Sequence, residues 1–68
     1  MSALIDQASE LLQEIDALTD EDDRRRTLML YARAMADAIA KGDERRIAKG
    51  IGIVRPVVDA TRELDLIG

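Results

Sequence analysis

Cysteine, histidine, tryptophan and phenylalanine are all missing from this chain, and tyrosine and proline occur once each. Without cysteine there is neither a disulfide nor a thiolate-held metal to staple the fold. Without histidine the most common general base and zinc ligand are gone. Ser2, Ser9, Thr27 and Tyr31 are left without an obvious partner base. The expectation is a protein that is not an enzyme, with no catalytic residues, no metal and no cofactor. Gly50-x-Gly52 lacks the third glycine and the preceding strand of a dinucleotide fingerprint, and a Walker pattern is absent.

Long apolar runs are also missing. No stretch approaches the 18 or so residues of a membrane span, and Met-Ser-Ala-Leu-Ile-Asp at the start has neither the basic region nor the apolar core of a signal peptide. These features predict a soluble, cytoplasmic protein without a membrane partner. A chain of 68 residues is one domain at most, burying only about 60% of its unfolded surface. Packing or self-association must stabilise it, so a homodimer is expected to complete the core.

The third deficit is positional. Residues 1–23 contain eight acids (Asp6, Glu10, Glu14, Asp16, Asp20, Glu21, Asp22 and Asp23) and no lysine or arginine. The remaining residues carry all ten basic groups against six acids, so the overall charge of -4 combines -8 and +4. Such asymmetry suits a polyanion partner, and equally an acidic segment that neutralises the basic one within the fold.

What is present is helical. The 47% hydrophobic content is mostly alanine, leucine and isoleucine, and all-α is the predicted class. Leu4, Ala8, Leu11, Ile15 and Leu18 recur at 4-3-4-3 spacing, widened by Ile5 and Leu12, and predict an amphipathic helix over roughly Ser2 to Leu18. Thr19 is placed to cap a second helix, with Asp22 three residues on. Asp20, Glu21 and Asp22 each stand four residues before an arginine, Arg24, Arg25 and Arg26, in the order that favours a helix start. The run lacks the alternating ligands and turn glycine of a calcium loop. This helix continues through Leu28, Tyr31, Met35 and Ile39 to Lys41-Gly42, where glycine supplies a left-handed cap. Alternating alanines from Ala32 to Ala40 let another helix approach closely, within the chain or across a dimer.

The single domain thus divides into residues 1–42, an acidic amphipathic helix plus an Ala-rich one, and residues 43–68. Asp43 is a good N-cap for the latter. An unbroken helix to Leu66 would set two heptad-like stripes, Ile47/Ile51/Val54/Val58 and Ile53/Val57/Ala60/Leu64/Ile67. Against it stand two glycines and Pro56, which cost a helix interior about 5 kcal/mol together. The favoured expectation is a turn at Gly50 to Ile53 and a last helix from about Arg55, with Pro56 in its first turn.

Read with that turn, Ile47, Ala48, Ile51, Gly52, Ile53 and Val58 resemble the apolar and turn positions of the helix-turn-helix in bacterial DNA-binding regulators. Arg55-Pro56 is similar to the start of winged-helix recognition helices, and Leu64-Asp65-Leu66-Ile67-Gly68 to the run that leads into a wing. The resemblance spans about 44–66. It implies a small DNA-binding transcriptional regulator whose Arg55 and Arg62 contact bases or phosphates while Arg45, Arg46 and Lys49 hold the backbone. The expected fold is a bundle of three to four helices ending in a helix-turn-helix-like segment. The alternative is a non-enzymatic interaction module, an inhibitor or adaptor of phage or plasmid type that binds a protein partner through its acidic or Ala-rich helices.

Overall fold

The computed structural model describes the backbone of residues 3–67 and the side chains of 3–66; Ser2, Ile67's side chain and Gly68 lie outside the described residues. The described residues fold into three helices: α1 (Ala3–Asp16), α2 (residues 21–41) and α3 (Glu44–Ile67). They run up, down and up, so α1 and α3 are parallel and α2 is antiparallel to both. The bundle measures 37 × 18 × 16 Å, its long axis matching the roughly 36 Å of a 24-residue helix.

The apolar spacing of α1 places Ala8, Leu11 and Ile15 in the core as expected, and Leu18 joins them from just beyond the helix, which ends at Asp16, while Ile5 and Leu12 remain on the surface. Residues 17–20 then turn the chain. The N-cap of α2 is Asp20, one residue later than the sequence suggests: its carboxylate accepts the Asp23 N–H at 2.9 Å. Thr19 instead donates its hydroxyl to Asp65 at 3.3 Å, fastening this turn to the end of α3. Of the three expected acid-to-arginine pairs only Glu21–Arg25 forms, at 3.7 Å. Arg24 donates to the Leu18 carbonyl at 2.9 Å and holds the turn from the other side.

Within α2, residues 32–36 form one π-helical turn between α-helical segments Glu21–Tyr31 and Asp37–Lys41. The inward residues are Thr27, Tyr31, Met35 and Ala38. Their 4-4-3 spacing, 11 residues in three turns, is close to α-helical, and Met35, within the π turn, meets Gly50 of α3. Thr27 takes the buried place that the sequence suggests for Leu28, which is exposed. Its hydroxyl is satisfied by the Asp23 carbonyl at 2.7 Å. Tyr31 crosses to α1 and donates to the Ala8 carbonyl at 3.1 Å, and burial raises the Tyr31 pKa. The helix ends as expected: Gly42 has φ 67°, Asp43 N–H reaches the Ala38 carbonyl at 2.9 Å, and Gly42 N–H reaches Ile39 at 3.2 Å.

The expected turn at Gly50 to Ile53 does not form. Helix α3 starts at the Asp43 cap, whose carboxylate accepts the Arg46 N–H, and runs unbroken through both glycines and Pro56. Two physical reasons decide this. First, Ile47, Val54 and Val58 are completely buried only if helical spacing continues across the glycines; each is worth about 1.5–3 kcal/mol, together enough to offset the breakers. Second, the carbonyl that Pro56 leaves without its helical donor belongs to Gly52, and both residues are exposed. Water can satisfy that carbonyl.

Gly50 has a separate task. It is buried against the π turn, where a Cβ would overlap Met35 Cγ and come within 3.0 Å of the Ala34 carbonyl oxygen. The close approach suggested by the alanine run thus occurs inside the chain, between α2 and α3. Leu11, Ile15, Met35, Ile47, Val54 and Val58 are fully buried within one chain.

Candidate interaction surface

Continuous α3 separates the five basic residues singled out by the sequence. Arg45, Arg46 and Lys49 lie exposed in its first two turns. Arg46 reaches Asp37 at 3.4 Å, which Lys41 also reaches at 3.3 Å. Arg62 is 16 residues beyond Arg46, about 24 Å along the axis. Arg55 and Arg62 instead converge on α1, donating to the two carboxylate oxygens of Glu14 at 2.7 and 2.5 Å. Glu14 and Arg55 are half-buried, and Arg55 also pairs with Asp59 at 3.6 Å. The hydrogen bond to Glu14 is the main cause that raises the Arg55 pKa above its ordinary value. Both candidate base readers are thereby engaged in holding α1 against α3, and at this point the acidic segment does neutralise the basic one.

The other face of α3 is different. Of the outer stripe, Ile53, Val57, Ala60 and Leu64 are all exposed, Leu64 by 69%, and the side chain of Ile67 lies outside the described residues. This stripe is on the far side of α3 from the Glu14 pairs. It borders a groove of about 430 Å³ between α2 and α3, lined by Asp23, Arg26, Thr27, Met29, Leu30, Arg33, Val57 and Thr61. Met29, Leu30 and Val57 form an apolar floor, and Met29 is half exposed. Arg26 and Arg33 stand seven residues apart on α2, at the groove's edge, and neither takes part in an ion pair among the described residues.

The groove follows from the bundle's construction. Helix α1 covers one side of the α2–α3 pair, and the opposite side has no covering helix. Met29 does not stand out in the sequence because Leu28 fits the apolar periodicity better, and Arg26 is read there as the partner of Asp22, a pair that does not form. Val57 was legible as a member of the outer stripe, and Arg26 and Arg33 had a signal in their i,i+7 spacing. The alanines divide: Ala34 and Ala38 turn inward while Ala32, Ala36 and Ala40 are exposed.

Among the described residues, no group of three or more acidic side chains is arranged to hold a metal ion, and no helix is long and apolar enough to cross a membrane. No protein-family model matches the chain, and no curated protein or solved structure is significantly similar to it.

Proposed function

We propose that this chain is a helical protein-interaction module that works by docking a partner in the α2–α3 groove and along the outer stripe of α3, without catalysing a reaction. The observation that carries this reading is the exposed set Met29, Ile53, Val57 and Leu64, which lines one face of a bundle whose own core is closed. Contiguous apolar surface rimmed by polar groups is characteristic of interaction sites, and a groove between two helices accepts an amphipathic third. Relative to the sequence reading, the docking face stays on the Ala-rich helix, here α2, at its seam with α3, and leaves the acidic α1.

A photo-crosslinking side chain at position 57 is expected to capture a protein in the native cell, whereas the same group at Asp6 on α1 captures none. Met29→Asp should abolish the position-57 adduct. Equal adducts from both positions, or none from position 57, would overturn the reading.

A DNA role is the rival, favoured by one observation: Arg45 and Lys49 are exposed, four residues apart and outside any ion pair among the described residues. With Arg46 they would contact phosphates rather than bases. Anisotropy titrations with mixed duplexes separate the two readings, since phosphate binding weakens steeply with salt.

A further inference from the structure

We infer that the partner segment is an acidic amphipathic helix from another protein, one whose apolar ridge is flanked by carboxylates; this rests on the docking reading above. The floor of Met29, Leu30 and Val57 takes the ridge, and Arg26 and Arg33 at the edge take the flanks. These two arginines are about 10 Å apart along α2, roughly two helical turns. Carboxylates at matching i,i+7 positions on a helix laid along the groove meet both. Asp23 lies at one end of the groove, so a basic or hydroxyl group of the partner belongs there, and the charge pattern fixes the direction in which the helix lies.

A second copy of this chain fits less well. An isologous contact that packs α2 antiparallel on its mate about Met29 and Leu30 sets Arg26 opposite Arg33 of the second copy, twice over. Like charges facing each other across an interface oppose association, while the same arginines attract an acidic helix and speed its approach.

The test uses two fluorescein-labelled helical peptides with one leucine ridge, flanked in one by glutamate and in the other by lysine, titrated into the full chain. The glutamate peptide is expected to bind about tenfold more tightly at low salt, as two exposed ion pairs allow, with the ratio shrinking as salt rises. Amide shifts should concentrate at Met29, Leu30, Val57 and Thr61. The exposed double substitution Arg26→Glu with Arg33→Glu, checked for native helicity by circular dichroism, should reverse the preference. Equal affinity for both peptides overturns the acidic partner and leaves the docking reading standing. Failure of both peptides to shift the groove residues overturns the docking reading itself. Concentration-dependent dimerisation that protects Met29 and Val57 would assign the face to a second copy and overturn the inference.

Discussion

Gly50 of α3 and Met35 of α2 occupy one point of the bundle: the side chain of Met35 fills the space that any Cβ at position 50 would take. The glycine that argues for a break when its helix is considered alone is therefore the residue that lets the helix pack. Met35 is fully buried there, within the π turn. A small residue on one helix and a widened turn on the other together set how near α2 and α3 can come.

The two glycines of α3 should respond oppositely to the same substitution. Gly50→Ala meets Met35 and the Ala34 carbonyl and is expected to lower stability by about 1–3 kcal/mol, the usual range for overpacking. At Gly52 an added Cβ finds no neighbour within 4 Å, so Gly52→Ala should raise stability by up to about 1 kcal/mol. Urea midpoints of the two variants decide the matter; the same sign for both would contradict the packing at Gly50.

Pro56→Ala restores a donor for the Gly52 carbonyl in the interior of α3. It is expected to stabilise by about 1–3 kcal/mol, each kcal/mol being about 4–8 °C in melting temperature for a domain of this size. In a helix that began at Arg55, the proline would occupy its natural first-turn position and replacing it would bring no such gain. A calorimetric scan thus distinguishes an unbroken α3 from a helix-turn-helix.

Removing Glu14 strands two arginines. Glu14→Ala, Arg55→Ala and Arg62→Ala should each lower stability by about 1 kcal/mol or less, since all three side chains are partly exposed. The losses should not add: in double-mutant cycles the interaction with Glu14 is expected to be larger for Arg55, exposed by 35%, than for Arg62, exposed by 54%. Repeating the cycles in 1 M salt should shrink both interactions. Additive losses would mean that α1 and α3 are held by apolar packing alone.

Tyr31 gives the fold an alkaline limit. Burial raises its pKa above the ordinary value of 10.0, so the unfolded chain loses this proton first as pH rises. The stability contributed by the neutral phenol is complete below about pH 10 and falls as pH climbs through the folded-state value. Tyr31→Phe should cost about 1 kcal/mol at neutral pH through the lost bond to the Ala8 carbonyl. It should also flatten the pH dependence relative to the native chain. Urea midpoints at pH 8 and pH 11 measure both effects, and tyrosinate absorbance is unambiguous because no other aromatic is present.

Local signals were legible where the cause is local. The stripe of α1, the left-handed cap at Gly42 and the N-cap at Asp43 each depend on residues within one or two turns, and the sequence shows them. The continuity of α3 depends on contacts made elsewhere. Gly50 is explained by Met35, on another helix, and the sum of helix propensities has no access to that contact. Arg55 and Arg62 pose the same problem at greater range, since their partner Glu14 precedes them by 41 and 48 residues. They resemble nucleic-acid contacts when considered alone and become a clamp once α1 is in place. The groove lies between these extremes: the outer stripe of α3 is visible as periodicity, but its walls on α2 depend on the π turn.

That turn makes the response of α2 to a change in length depend on where the change falls. Bonding of the i→i+5 type takes one more residue into a turn than an α-helix does, so residues 32–36 hold a surplus residue between the two halves of the helix. Deleting a single alanine there would remove the surplus residue and let the turn close to α-helical pitch, so the two halves would stay nearly in phase and Thr27, Tyr31, Arg26 and Met29 would keep their faces. The same deletion within Glu21–Tyr31, where the helix is regular, has no surplus residue to give up and would rotate what precedes it by about 100° relative to the rest. A relative of this protein that lacks one residue of α2 would therefore present the same face only if the loss fell in the π turn.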